Sequence, residues 1–179
     1  MRFPAAILIA LLAAPAIAAE KPVVIPEGQV VTGRCVGVHD GDSMTLLVDT
    51  PEGKRQSKIR MDAIDAPELG QPFSSRSKQT LSGMVFDKSC QVESLGPDKY
   101  GRTIGRVTVD GRDVNAAMLE AGMAWHYAKH DNRKAMADRH DAARKAGVGL
   151  WADPRPIPPW DWRKMSKEER SPHREKAAR

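Results

Sequence analysis

From Gln29 the chain carries its apolar residues in the period of a β-strand, at Val30, Val31, Cys35, Val36 and Val38. Asp40-Gly41-Asp42 interrupts the run as a turn does, and Met44-Thr45-Leu46-Leu47-Val48 resumes it. Pro51-Glu52-Gly53-Lys54 is a second turn signal and residues 56–61 read as a third strand, so tight turns join the strands in a meander. Over 74–86 the period becomes helical, with Ser74 as N-cap and Leu81, Met84 and Val85 on one face. Residues 90–93 and 103–109 predict two more strands around a Gly96-Pro97-Asp98 turn. Asp113 then caps a helix that turns Val114, Ala117, Met118 and Ala121 inward and stops at Gly122. A last helix over 132–146 sets Met136 and Ala143 on one side and ends at Gly147. Three strands, a helix, two strands and two helices predict an α+β fold, a five-stranded OB-fold barrel with three helices.

The ends read differently. Met1-Arg2 is a short positive start, residues 5–14 are apolar but too few to cross a bilayer, and Ala16-Ile17-Ala18 follows Pro15 as a small-x-small cleavage pattern. Residues 1–18 are therefore expected to be a signal peptide, which predicts a periplasmic or secreted protein with no membrane anchor after cleavage. Residues 19–28 form a short leader, 29–151 the domain, and 152–179 a proline- and tryptophan-rich strap followed by a basic tail. Pro154-Arg155-Pro156-Ile157-Pro158-Pro159-Trp160 favours extended chain, with Trp160 and Trp162 expected to pin the strap to the core.

Charge changes the picture little. The formal net charge is +5, but residues 163–179 alone hold seven Lys/Arg against three Glu. The core is then close to neutral, and general attraction for a polyanion resides in a tail that also reads as a solvated end. Cys35 and Cys90 are the two cysteines, and an oxidising compartment would let them pair; two buried free thiols are the alternative. His126, His130 and His140 do not form a zinc set, because the stretch crosses a helix break at Asp131 and a third ligand is missing.

The chemistry lies in three short segments: His39-Asp40-Gly41-Asp42-Ser43, the run from Arg60 through Asp65 to Glu68, and Asp98-Lys99-Tyr100-Gly101-Arg102. Asp42 begins strand two and Asp65 ends strand three, so the meander makes them neighbours. Facing carboxylates repel unless a cation lies between them. Oxygen donors suit calcium, with magnesium or manganese left open. Glu68, on a loop, could take a proton from water, and paired arginines such as Arg60 and Arg102 can clamp a phosphate. Arg60 and Asp65 are an odd number of residues apart, so both reach one site only if the strand bends or ends between them.

Those segments, in that order and with that internal spacing, resemble the staphylococcal-type thermonuclease family over about residues 30–151. The resemblance implies that Asp42 and Asp65 bind calcium with the backbone carbonyl of Ala66, and that Asp40 supports the site from behind. It implies Glu68 as general base and Arg60 and Arg102 on the phosphate, with Lys99, Tyr100 and Tyr127 around the bound nucleotide. The expected reaction is hydrolysis of DNA or RNA to 3′-phosphorylated products by a monomeric endonuclease. A catalytically silent OB-fold module that binds nucleic acid is the alternative.

The chain departs from the family's archetype in three places. The loop from Glu68 to the first helix is shorter, residues 122–127 hold one tyrosine and an added Trp125, and the strap with Trp160 and Trp162 is extra.

Overall fold

The computed structural model describes residues 21–177, with side chains as far as residue 173. The expected signal peptide lies outside the described residues. In chain order come β1 (Val30–Val38), β2 (Ser43–Thr50), β3 (Gly53–Met61), β4 (Ile64–Asp65), α1 (Ser74–Val85), β5 (Ser89–Pro97) and β6 (Thr103–Val109). They are followed by β7 (Arg112–Asp113), α2 (Val114–Glu120), β8 (Trp125–His126), α3 (Lys134–Lys145), a 3-10 turn (Gly149–Ala152), α4 (Pro159–Trp162) and α5 (Lys167–Ala177).

The barrel follows from alternation. Along β6, Thr103, Gly105, Val107 and Val109 face inward while their neighbours are half-buried. β1 pairs antiparallel with both β2 and β5, β2 with β3, and β5 with β6. A parallel pairing of β3 with β6, from Ile59 opposite Thr103 to Met61 opposite Gly105, closes the five strands into a barrel. Closure leaves no free edge on either strand. Met44, Leu46, Ile59, Val92, Leu81, Met118 and Leu119 are fully buried at its centre and against α1 and α2. Each such side chain contributes about 1.5–3 kcal/mol by leaving water. No helix among the described residues is long and apolar enough to cross a membrane.

Asn115 ties α2 to the barrel. Its Oδ1 accepts from Val107 N–H at 2.9 Å, and its Nδ2 donates to the carbonyls of Asp62 at 2.9 Å and Gly105 at 3.2 Å. This holds the turn that carries β3 into β4. The α2 cap is as the sequence predicts, with Asp113 Oδ1 accepting from Ala116 N–H at 2.9 Å. Gly122 (φ 61°) takes the left-handed turn after α2, and its carbonyl accepts from Leu150 N–H at 2.8 Å.

Three local expectations need correction. Ser74 does not cap α1: it is the first helical residue, and Phe73 precedes it in a left-handed conformation (φ 67°) with no side-chain cap. The fourth strand extends beyond residue 93 to Pro97, because Cys90, Val92 and Ser94 continue the inward alternation. The tail is solvated but helical rather than irregular: α5 starts on a reciprocal cap in which Ser166 N–H donates to Glu169 Oε2 and Glu169 N–H to Ser166 Oγ.

The strap itself behaves as expected from its prolines, irregular over 153–158, before α4. Trp162 is buried (1% exposed) and takes Arg170 against its ring at 5.4 Å. Cys35 and Cys90 are free buried thiols on β1 and β5, without the bridge an oxidising compartment would allow. Burial first, then the neighbouring Cys35, pushes the Cys90 thiol up to about 11.

Candidate active site

The Asp40-Gly41-Asp42 turn is folded by its own first residue. Asp40 Oδ1 accepts from Asp42 N–H at 3.0 Å and from Ser43 Oγ at 2.6 Å, an Asx turn. Burial alone would raise the Asp40 carboxyl, but these bonds and the charge of Arg60 outweigh it and hold it below the ordinary range. Gly41 is required by closeness: a Cβ there would fall 1.8 Å from Ser77 Oγ of α1 and 2.8 Å from Ala66 Cβ. The turn thus delivers Asp42 against β3, where Met61 N–H donates to the Asp42 carbonyl at 2.8 Å.

The bend demanded by the Arg60 and Asp65 spacing is present. β3 ends at Met61, and Ala63 takes a left-handed conformation (φ 63°) before β4. Asp65 therefore returns to the side of Arg60, whose Nη2 donates to Asp65 Oδ1 at 2.9 Å. Its Nη1 stands 2.6 Å from Asp42 Oδ2, an ion pair too far out of line to count as a hydrogen bond, so this buried nitrogen lacks an aligned acceptor. One guanidinium thus joins two buried carboxylates (Asp42 and Asp65, 7% and 2% side-chain exposure) from adjoining strand ends. Asp42 Oδ2 also accepts from Ala66 N–H at 2.5 Å. Burial pushes the Asp42 carboxyl well above the carboxylate range; Arg60 opposes this, and Asp40 and Asp65 add to it. Burial works against the charge on Arg60, and Asp42, Asp65 and Asp40 outweigh it, so the guanidinium is held above its ordinary value.

Glu68 joins the same cluster through a residue the sequence reading passed over. Arg163, just after α4, places Nη1 2.5 Å from Glu68 Oε1 and 3.3 Å from Asp65 Oδ1, with Nη2 2.7 Å from Asp65 Oδ2. The Asp65 bond, against the opposing effect of burial and with help from Glu68, raises the Arg163 guanidinium further. Gln71, itself buried, fixes the loop: its Oε1 accepts from Glu68 N–H at 2.9 Å and its Nε2 donates to the Ile157 carbonyl of the strap at 2.6 Å. No local pattern marks Arg163, because its partners lie almost a hundred residues earlier.

The other expected residues form two further groups. At the turn from β5 to β6, Asp98 Oδ1 accepts from the backbone of Tyr100 and Arg102, and Arg102 Nε donates to Asp98 Oδ2 at 2.7 Å. The exposed Tyr100 ring lies 5.0 Å from Lys99 Nζ and 5.7 Å from the Arg102 guanidinium. Arg102 is thus held by Asp98 rather than by the acidic cluster, although Ile104, two residues on, is the strand partner of Arg60. Tyr127 follows β8, which pairs with β4 so that Trp125 opposes Asp65; its ring stacks on Trp160 at 5.7 Å and 25°.

Among the described residues no three His, Cys, Asp or Glu side chains gather as a metal-binding group. The donors that do meet, Asp42 and Asp65, are hard oxygens, and the raised Asp42 carboxyl is a buried acid short of positive charge. That suits a calcium-like cation which keeps several waters, and it does not suit zinc. Both Asp65 oxygens are engaged by arginines here, so a cation at Asp65 competes with Arg163.

The chain has relatives among known proteins. Residues 45–153 match the family model described as staphylococcal nuclease homologue. The chain is similar to a protein named ParB from Escherichia coli, 39% identical over 90% of this chain and 95% of that one. It is similar to a micrococcal nuclease from Shigella flexneri, 35% identical over 89% and 95% of the two chains. It is also 38% identical to an uncharacterized endonuclease from Haemophilus influenzae, over 76% of this chain and 75% of that protein.

Proposed function

Because this chain belongs to the staphylococcal nuclease homologues and is a phosphodiester hydrolase, we propose that it is a calcium-dependent endonuclease that cuts DNA and RNA to 3′-phosphorylated products. A silent binding module of this kind would lack the acidic and arginine residues, and this chain keeps Asp42, Arg60, Asp65, Glu68 and Arg102. The observation that supports the reading most is the Arg60 fork joining Asp42 and Asp65 beside Glu68.

In this proposal Asp42, Asp65 and the Ala66 carbonyl hold the cation, and Asp40 keeps the turn that presents Asp42. Bound there, calcium would supply positive charge next to the phosphate. Glu68 takes a proton from the attacking water as the water oxygen bonds to phosphorus. The bond to the 5′-oxygen breaks and that oxygen leaves with a proton from solvent. Arg60 and Arg102 bind the non-bridging oxygens and neutralise the charge that builds there; positioning and charge account for most of the acceleration. Lys99, Tyr100 and Tyr127 contact the nucleotide. The protein acts as a monomer in the periplasm or medium once residues 1–18 are removed.

The test incubates the protein with an end-labelled single-stranded oligonucleotide in calcium, magnesium, manganese or chelator. Calcium should give fragments ending in 3′-phosphate, and the chelator should stop the reaction. Cleavage at equal rate in chelator, or fragments ending in 3′-hydroxyl, would overturn the proposal.

A further inference from the structure

Beside Arg163 the strap encloses a cleft of about 870 Å³ whose other wall is β8, Tyr127 and the residues just after it, and α3. Arg163 belongs to both places: it lines the cleft and it binds Glu68 and Asp65. Arg163 thus stands between the cleft and the acidic cluster. Its volume lies within the roughly 300–1,000 Å³ of ordinary ligand sites, room enough for one or two nucleotides.

The lining is one-sided in charge. Lys129, Arg144, Arg155, Arg163 and Lys164 all contribute, and no Asp or Glu does. Lys129 and Arg155 have no ion-pair partner among the described residues. Arg144 rests on the Trp151 ring at 5.8 Å rather than on a carboxylate. A fold that pairs most of its other arginines with acids has left these cations around a half-open cleft, as a polyanion site requires.

Aromatic rings supply the second half of the chemistry. Tyr127 and Trp160 stack on one another in the lining, and these rings and that of Trp151 are all only partly buried. Trp162, two residues from Trp160, is the fully buried ring of the strap, while Trp160 stays partly exposed with one face on Tyr127. Flat rings beside cations, two of which (Arg163 and Lys164) are already paired with acids, suit unstacked bases joined by phosphates. They do not suit a duplex, whose base faces are already covered.

We propose that this cleft, walled by Trp160 and Arg155 of the strap, binds the unpaired nucleotides next to the cleaved phosphate and directs the protein to single strands. The inference rests on the nuclease function proposed above and adds a binding site formed by the strap. Arg163 is the point where the bound strand passes from the cleft to the acidic cluster.

Binding is measured in chelator, without cleavage, by fluorescence anisotropy of labelled (dT)12 and of a blunt 12-base-pair duplex of two strands at one salt concentration. Wild type should bind (dT)12 more tightly than the duplex. Trp160→Ala should weaken (dT)12 binding by about 5- to 100-fold, the loss expected of one base-stacking ring, and leave duplex binding unchanged. Trp160→Phe, which keeps a ring, should restore most of it, and Arg155→Gln should weaken both ligands. In calcium, Trp160→Ala should raise KM for (dT)12 with kcat unchanged. Unaltered (dT)12 binding by Trp160→Ala, or Trp160→Phe as weak as Trp160→Ala, overturns the inference. A protein that binds (dT)12 through Trp160 but never cleaves it upholds the cleft and refutes the proposed catalysis. A protein that cleaves (dT)12 without regard to Trp160 does the reverse.

Discussion

Removing Arg163 should reveal competition between the strap and the cation. Its guanidinium makes two contacts to Asp65 and one to Glu68. Charge-assisted bonds of this kind contribute about 1.5–3 kcal/mol each when shielded, but Arg163 is 43% exposed, so solvent screens much of that. Asp65 also keeps its bond to Arg60 after the change. The expected loss for Arg163→Ala is therefore about 1–3 kcal/mol in chelator, or roughly 2–10 °C in Tm for a chain of this size. At the proposed site, calcium reaching Asp65 would displace the same contacts. Their prior removal should tighten calcium binding by about 5- to 150-fold, the coupling that 1–3 kcal/mol represents. The assay is paired: thermal unfolding of both proteins with and without calcium, and calorimetric titration of calcium. The destabilisation should shrink or vanish in saturating calcium. An equal loss of Tm in chelator and calcium, with unchanged or weaker calcium affinity, would refute the reasoning.

Other consequences follow from single contacts. Gln71→Ala unties Glu68 from the strap, so kcat should drop about tenfold, the effect of about 1.4 kcal/mol, and limited proteolysis should cut near residue 157 sooner; wild-type behaviour in both assays would show that the bridge is unimportant. Gly41→Ala forces a Cβ onto Ser77 and should cost about 1–3 kcal/mol in urea unfolding; no change would mean that α1 can shift freely. Burial opposes the charges of Asp98 and Asp131, but bonds from Arg102 and Tyr100 to the first, and from Arg133 and His126 to the second, hold both carboxyls below their ordinary value. Their folded forms then bind protons less tightly than the unfolded chain, so their stabilisation is complete above the unfolded pKa near 3.9 and is lost as pH falls below about 4. The Tm of Asp98→Asn/Asp131→Asn should fall less steeply than wild type between pH 4 and 2, and parallel curves would contradict this.

The barrel was legible because its strands alternate cleanly and Asp-Gly, Pro-Glu-Gly and Gly-Pro-Asp turns separate them. The short pairing of β4 with β8 was not, since two residues carry no period, yet it brings Tyr127 toward Asp65. Arg60 could be placed from sequence only on condition of a bend, and Ala63 supplies it. The helix at the tail did have a signal: Ser166-Lys167-Glu168-Glu169 reads as a capping box, masked by the charge and the internal Pro172. Arg163 had none. Its place depends on Trp162 packing in the core and on Gln71 holding the strap, contacts between segments far apart in the chain. Arg102 carries the family pattern but is turned onto Asp98, an orientation no spacing could specify.

The assignment of Glu68 as the base that takes the proton from water is the centre of the account. Its direct test is the initial rate at which wild type and Glu68→Gln cut a labelled single-stranded oligonucleotide in saturating calcium, with folding and calcium binding checked in parallel. Glu68→Gln should cut about 10²- to 10⁴-fold more slowly, with calcium affinity and Tm close to wild type. A Glu68→Gln protein that binds calcium normally and cuts at the wild-type rate would contradict it.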